Sequence, residues 1–175
     1  MCGIIGYVGR QEAAPILLEG LERMEYRGYD STGMAVCGDG VLRVCKKKGR
    51  VQVLREMSHD GADLPGTLGI GHTRWATHGE PSDVNAHPHL SQSGKFAVVH
   101  NGIIENFIAL KEELLQKGYT FRSETDTEVV AQLLDYYYSD CGDFFEAMNR
   151  LLHAVDGAYA PVSYTHLRAH ETLRH

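Results

Sequence analysis

Directly after Met1 the chain reads Cys2-Gly3-Ile4-Ile5-Gly6-Tyr7-Val8, and this stretch is the most informative in the sequence. It is short, apolar and interrupted by glycine, which is typical of a buried strand. A strand that starts almost at the first residue anchors a terminus that would otherwise fray. We therefore expect Cys2 to be held in place at the end of a sheet.

Cys2 becomes the first residue once Met1 is removed, since a small second residue generally permits that cleavage. An ordinary cysteine thiol has a pKa of about 8.5 and an α-amino group one of roughly 7.7 to 8.0, so such an amine accepts a proton near neutrality. One residue can thus supply both the nucleophile and the base for acyl transfer. The alternative is a chance cysteine in a frayed terminus, and the apolar strand that follows favours the catalytic interpretation.

Outward from this strand, helical and strand patterns fill the chain to about residue 160. Helices are predicted over 13–26, 51–57, 107–117, 126–138 and 144–153. Strands are predicted over 3–8, 34–36, 41–46, 68–73 and 96–100. Thr125, with Glu128 three residues later, predicts a capping box at one helix. Because strands and helices come in blocks rather than in strict alternation, the pattern favours stacked α+β layers over a doubly wound parallel sheet.

The composition argues against several functional classes. The 175 residues include 17 basic and 23 acidic side chains, a net charge of −6, so no basic surplus exists to neutralise nucleic-acid phosphates. No apolar run reaches the roughly 18 to 20 residues of a membrane span, and no secretory signal is visible. The four cysteines are sparse and lack zinc-finger spacing. A cytoplasmic protein with free thiols is therefore predicted.

Four further residues suit an acyl-transfer site that acts on an amino-acid amide. Arg74 can grip a carboxylate with two parallel hydrogen bonds, and Asp126 can receive an ammonium group. Asn101 and the backbone N–H of Gly102 can form an oxyanion hole, because glycine permits a close approach. Each signal alone is weak, since a lone Arg or Asp is most often a surface ion pair and an Asn-Gly pair is most often a turn.

Six segments carry, in order, a resemblance to a known family: residues 2–6 (CGIIG), 25–33 (EYRGYDSTG), 72–81 (HTRWATHGEP), 85–89 (NAHPH), 100–106 (HNGIIEN) and 123–128 (SETDTE). The first is shared by many class II glutamine amidotransferases, whereas the second and third are more specific. Together they resemble the N-terminal glutaminase domain of the glutamine–fructose-6-phosphate aminotransferase (isomerizing) family, the glucosamine-6-phosphate synthases. The resemblance covers about residues 1–160.

The resemblance implies an N-terminal-nucleophile hydrolase fold, an αββα four-layer sandwich, here incomplete at the C-terminus. It implies hydrolysis of glutamine to glutamate and ammonia without a metal or organic cofactor. In the whole enzyme, which is expected to be a cytoplasmic homo-oligomer, ammonia would pass to sugar-isomerase domains that convert fructose 6-phosphate to glucosamine 6-phosphate. Those domains are absent from this sequence, and neither a nucleic acid nor a membrane is an expected partner.

The resemblance also implies roles for individual residues. Cys2 would attack the glutamine side-chain carbonyl, Asn101 and Gly102 would stabilise the oxyanion, and Arg74 and Asp126 would bind the α-carboxylate and the α-ammonium group. A loop that closes over the substrate would contain Trp75, Thr77 and His78. Arg27, in a second motif, would have a positioning role.

Four histidines raise a metal or histidine-base hypothesis. His78, His87, His89 and His100 would be the candidates. With an amine base already available, we expect them to contribute lid packing or loop structure instead.

The end of the chain differs in character. Residues 162–172 (VSYTHLRAHET) resemble one reading frame of a transposon-derived adapter used in sequencing libraries. The predicted domain therefore spans 1–160, and 161–175 is predicted to be a foreign tail, a poor substitute for a strand, rather than a histidine-rich metal tract. Such a chain is expected to expose sheet edges, to aggregate and to show little activity.

An inert or glutamine-binding fragment and another class II amidotransferase remain the alternative functions.

Overall fold

The computed structural model describes residues 2–75, 80–157, 159–165 and 168–171, and only the backbone of the last two ranges. Its strands are β1 (Gly3–Val8), β2 (Ser31–Gly38), β3 (Val41–Lys48), β4 (Leu68–Arg74), β5 (His89–Leu90), β6 (Phe96–Gly102), β7 (Tyr159–Thr165) and β8 (Arg168–Glu171). Its α-helices are α1 (Ala13–Met24), α2 (Val51–Met57), α3 (Phe107–Gln116), α4 (Asp126–Cys141) and α5 (Phe144–Ala154).

Within the described residues the strands form two antiparallel sheets of four strands each. The first has the order β1-β4-β2-β3 and the second the order β5-β6-β7-β8. Helices α1 and α2 cover the outer face of the first sheet, and α3, α4 and α5 cover the outer face of the second. The layers are therefore α, β, β and α, as the family resemblance implied.

The period of two along each strand explains why both faces of the sheets are apolar. In β2, Met34 and Val36 face α1 and α2, whereas Ala35 faces the other sheet. In β6, Phe96 and Val98 face the second helical layer. Small residues from both sheets, Ala35 and Ala97, meet in the layer between them, where they permit a close approach.

The predicted elements are found close to their expected positions, although several bounds differ; the strand predicted over 34–36, for example, is β2, Ser31–Gly38. Helix α1 ends at Met24 and continues as a single 3₁₀ turn, Glu25–Arg27. Strand β5 was missed, because a two-residue strand leaves no periodic signal. Helix α4 continues to Cys141, where Gly142 adopts a left-handed φ of 67° that ends a helix readily.

The capping box predicted at Thr125 and Glu128 is wrong. The Glu128 carboxylate accepts hydrogen bonds from the backbone N–H groups of Arg122 and Ser123, at 2.9 and 2.6 Å, rather than from Thr125. The Thr125 hydroxyl lies 3.0 Å from His89 Nε2 instead of capping the helix. A histidine from β5 thus provides the partner for Thr125, a tertiary contact that local sequence does not reveal.

The tail after residue 160 was expected to be a poor substitute for a strand, yet its backbone forms strands in the structure. Strand β7 runs through residue 165 and pairs along the whole of β6, with Ala160 opposite Asn101 and Tyr159 opposite Gly102. Residues 168–171 then form β8 against β7. Backbone pairing with a free strand edge needs no particular side chains, which explains how even a foreign segment can pair with β6.

None of the helices in the described part of the chain has the length and apolar character needed to cross a membrane.

Candidate active site

The pairing of β1 with β4 determines where Cys2 lies. Gly3 is paired with Thr73, and its N–H donates to Thr73 Oγ1 at 3.1 Å. A side chain at Gly3 would lie 2.8 Å from that oxygen, so glycine permits this close pairing. Beyond it, Cys2 Sγ accepts a hydrogen bond from Trp75 N at 3.1 Å and lies 3.5 Å from Trp75 O. The thiol is therefore fixed beside the end of β4.

The second sheet contributes Asn101 at the end of β6. The Asn101 Nδ2 group donates to the Cys2 carbonyl oxygen at 3.3 Å, and Oδ1 lies 2.9 Å from His72 Nε2. Gly102 follows with φ of 134°, a region that favours glycine. Cys2, the predicted nucleophile, and Asn101, one of the two predicted oxyanion donors, thus come together from two different sheets.

Arg74, the last residue of β4, is 4% exposed. Burial lowers the pKa of its guanidinium, and the nearby Cys2, Asp30 and Asp126 act in the opposite direction. The electrostatic neighbours of Arg74 therefore include both Cys2 and Asp126. A buried cation in this position can attract an anionic group into the site.

Asp126 begins helix α4 and is buried. Its Oδ2 accepts the backbone N–H of Ile104 at 2.9 Å, and the Thr127 hydroxyl lies 3.4 Å from its Oδ1. Since Ile104 comes two residues after Gly102, this carboxylate also holds the chain that follows the predicted oxyanion donors. One carboxylate oxygen is committed to this structural contact, and for the other the described residues provide only the long contact with Thr127.

Trp75 is 46% exposed, and its ring meets Tyr29 edge to face with centroids 5.5 Å apart. Gly28, between Arg27 and Tyr29, packs closely against the backbone of Arg74 and Trp75. Arg27 itself lies in the 3₁₀ turn and is half-buried, without a hydrogen bond or ion pair in the part of the chain that is described. The predicted site residues Thr77 and His78 lie outside the described residues.

Four histidines are buried near the site: His72, His87, His89 and His100. His100 faces helix α4, where its Nδ1 lies 3.2 Å from Thr127 Oγ1. Of the three expected to contribute lid packing or loop structure, His87 lies in the loop before β5, whereas His89 and His100 are strand residues with interior side chains. His72 and His87 stack with centroids 4.3 Å apart, and His87 meets His89 edge to face at 4.8 Å. Among the described residues no cluster of three or more potential metal ligands is found.

These histidines are held in the neutral form. Burial lowers the pKa of His72 to about 4, against the opposing effect of its hydrogen bond with Asn101. Burial also lowers the pKa values of His87 and His89 well below the ordinary range, with a further contribution from nearby cationic groups. The pKa of His100 is lowered by burial too, with Asp126 opposing the shift.

His72 is the site residue that sequence reasoning missed. It stands two residues before Arg74 in a predicted strand, so the period of two places both side chains on one face of the sheet. That spacing was the available signal.

A cavity of about 570 Å³ lies elsewhere, along β3, β5 and the start of α4. Lys46, in its wall, donates to the carbonyl oxygens of Val84 and Ala86 at 3.1 and 2.7 Å, and burial lowers its pKa to about 8. Glu128 and Gln132, also in the wall, hydrogen-bond to neighbouring protein groups. The cavity contains none of the predicted site residues.

Comparison with known proteins gives consistent findings. The family model of the glutamine amidotransferase domain matches residues 36–160. Among curated proteins, the chain is 61% identical over 160 residues to glutamine–fructose-6-phosphate aminotransferase (isomerizing) of Caldanaerobacter subterraneus and 57% identical to that of Aquifex aeolicus. In each case 91% of this chain and 26% of the relative are covered, so the chain spans about a quarter of the length of these relatives.

Solved structures give the same fold. The chain is similar to the glutamine phosphoribosylpyrophosphate amidotransferase of B. subtilis, with a TM-score of 0.81 and 28% identity over 95% of this chain and 35% of that one. It is similar to a regulatory enzyme of purine biosynthesis with a TM-score of 0.82 and 28% identity, over 95% of this chain and 36% of that one. The fold is that of the N-terminal-nucleophile hydrolases, as expected.

We expect Gly28→Ala to destabilise the protein. An added Cβ would lie 2.7 Å from Arg74 C and 2.9 Å from Trp75 N, and backbone cannot yield as a side chain can. The free energy of unfolding in urea should fall by about 1 to 3 kcal/mol, as for other overpacked sites. Gly6→Ala is the matched control, because nothing lies within 4 Å of that position, and equal losses in both variants would contradict the packing argument.

We expect stability to fall in mild acid because of the buried histidines. An unfolded histidine takes up a proton near pH 6.5, whereas folded His72 resists protonation down to about pH 4. The neutral, buried His72 ring therefore makes its full contribution to the free energy of unfolding above about pH 6.5, and this contribution is lost as the pH falls towards 4. From His72 alone the loss at pH 5 should be about 2 kcal/mol. Urea unfolding at pH 7.5, 6 and 5 measures it, and a flat profile would contradict neutral burial.

Proposed function

We propose, on the premise that this chain belongs to the glutamine amidotransferase family, that it is the glutamine-hydrolysing part of a glutamine–fructose-6-phosphate aminotransferase. The observation that carries the proposal is the placement of Cys2, whose Sγ accepts from Trp75 N at the end of β4 and whose carbonyl oxygen accepts from Asn101 of the other sheet. A thiol at the terminus, an amide donor beside it and a buried arginine form a set that suits attack on an amino-acid amide.

The proposed reaction converts glutamine and water to glutamate and ammonia. Cys2 Sγ forms a bond to the side-chain carbonyl carbon, and its proton passes to the α-amine that Met1 removal frees. The negative charge that develops on the carbonyl oxygen is stabilised by Asn101 Nδ2 and the Gly102 N–H. The carbon–nitrogen bond then breaks, and the amine returns its proton to the departing ammonia. Water hydrolyses the remaining thioester and regenerates the thiol.

Recognition of glutamine is assigned to two buried charges. Arg74 would bind the α-carboxylate with a bidentate pair, and Asp126 would accept from the α-ammonium group. The position of Arg74 at the end of β4, electrostatically coupled to both Cys2 and Asp126, supports this arrangement. Trp75, Thr77 and His78 are assigned to a loop that covers the bound substrate, and Arg27 to positioning.

The wider context of the activity is also proposed. Ammonia would be used in a longer protein to convert fructose 6-phosphate to glucosamine 6-phosphate, and that protein would be a cytoplasmic homo-oligomer. The 61% identity to an aminotransferase, against 28% to a phosphoribosylpyrophosphate amidotransferase, favours a sugar phosphate as the acceptor. Residues 161–175 are proposed not to belong to the domain, since the family model matches only to residue 160.

We expect Cys2 to be the nucleophile. A chimaera that joins residues 1–160 to the remaining length of the Caldanaerobacter relative should hydrolyse glutamine, and Cys2→Ala should lower the rate by more than about 10³-fold. Mass spectrometry after treatment with an electrophilic glutamine analogue should find one adduct on an N-terminal cysteine. An adduct on Cys37, Cys45 or Cys141 would refute the assignment, and Cys141→Ala is the matched control.

We expect Asp126→Asn to weaken glutamine binding while it leaves the fold intact. The amide oxygen can still accept the Ile104 N–H, but the negative charge opposite the α-ammonium group is lost. Removing one member of a desolvated charge pair costs roughly 2 to 5 kcal/mol, so kcat/KM should fall by about 30-fold or more. Steady-state kinetics of the chimaera would test this. The exposed neighbour Glu124→Gln should behave normally, and a normal KM for Asp126→Asn would exclude the role.

A further inference from the structure

We propose that His72 is a positioning residue for the reaction, which holds the side-chain amide of Asn101 so that Nδ2 faces the reacting centre. The inference rests on the proposed function, since it concerns the oxyanion donor assigned there. It gives a specific task to an interior histidine that none of the predicted roles included.

The hydrogen bonds of Asn101 determine which way its amide points. The Cys2 carbonyl oxygen can only accept, so the Asn101 atom 3.3 Å from it must be the nitrogen. The atom 2.9 Å from His72 Nε2 is then Oδ1, which also can only accept. His72 must therefore carry its proton on Nε2. An amide nitrogen has two N–H groups, and the second one of Asn101 makes no hydrogen bond within the described residues.

The His72 ring itself is fixed from several sides. Its backbone is paired with Ile4 of β1 and Gly33 of β2, and its carbonyl oxygen accepts from the Thr32 hydroxyl at 3.2 Å. The ring is 1% exposed and stacks on His87, whose Nδ1 in turn accepts the His100 N–H at 3.3 Å. Because the His72 ring is fixed, its Nε2–H points in one direction and fixes the orientation of the Asn101 side-chain amide.

The charge state of His72 makes this contact unambiguous. Burial, with Arg74 and the His100 side chain, lowers the pKa of the imidazole, and the hydrogen bonds with Asn101 and with the His100 backbone only partly oppose the shift, so the ring stays neutral. A neutral imidazole has one N–H, and here that N–H points at Asn101. The opposite nitrogen, Nδ1, has no partner of hydrogen-bond geometry in the described part of the chain. His72 therefore uses its single side-chain donor on the proposed oxyanion group.

The test compares two amide replacements in the glutamine-hydrolysing chimaera. A glutamine at this position is long enough to place an N–H near Nε2 of the native ring, whereas an asparagine reaches only the Nδ1 position. We expect His72→Gln to keep kcat within about 5-fold of the parent. His72→Asn should lower kcat by about 10- to 100-fold, less than the 10²- to 10³-fold cost of losing an oxyanion donor outright.

Two further measurements separate positioning from a structural role. Alkylation of Cys2 by iodoacetamide forms no oxyanion, so its rate should be the same in both variants, as should KM for glutamine. His89→Gln, which keeps a donor near Thr125 and does not touch Asn101, is the matched control and should show the parental kcat. Equal kcat in the Gln and Asn variants would overturn the proposal. A parallel fall of kcat, alkylation rate and melting temperature in the Asn variant would also overturn it.

A spectroscopic measurement keeps the inference testable if neither variant folds. Nitrogen-15 NMR of the parent protein should show His72 as the neutral tautomer protonated on Nε2 at pH 7. The Nδ1–H tautomer or an imidazolium would overturn the proposal. Failure of the proposed function is distinguishable, because a parent protein without Cys2-dependent glutamine hydrolysis refutes that function whatever the tautomer of His72.

Discussion

The antiparallel pairing of β1 with β4 is the constraint on which the site depends. It ties the second residue of the chain to the strand that carries His72, Thr73 and Arg74. A terminus held only by its own backbone would sample many positions, because fixing one residue costs roughly 1 to 2 kcal/mol of conformational entropy. Here the backbone hydrogen bonds between β1 and β4, the Thr73 hydroxyl and the Trp75 N–H together offset that loss of entropy. A reactive group can therefore be placed at a chain end without being mobile.

Much of the fold and of the site could be predicted, and the reasons differ. Strong periodicity and glycine punctuation were sufficient for the helices and for the long strands. Arg74, Asn101 and Asp126 could be chosen because their chemistry fits one substrate and because they lie in family motifs. The convergence of Cys2 and Asn101 from separate sheets could not be derived from local pattern, since it depends on how the sheets pack. Before the structure, only the resemblance connected them.

The features that sequence reasoning missed are all tertiary. Thr125 and Glu128 fit a local capping rule, but β5 and the backbone of residues 122–123 supply other partners. Three of the four interior histidines, His87, His89 and His100, were assigned to lid packing or loop structure because an amine base was already available, and His72 was given no role. In the structure all four are buried, and burial suppresses their protonation. Such a group supplies directional hydrogen bonds within a core without introducing charge, which apolar residues cannot do and charged residues do only at a large desolvation cost.

The apolar cluster between the sheets has a consequence for which substitutions this protein can accept. Ala35 of the first sheet and Ala97 of the second belong to it, together with larger residues such as Val99. The Asn101 amide reaches the Cys2 carbonyl at 3.3 Å, already near the long limit of a hydrogen bond. A larger side chain in place of either alanine would therefore push the sheets apart and break this contact before it unfolded the domain. Evolution at these two positions is constrained by the proposed activity more tightly than by stability.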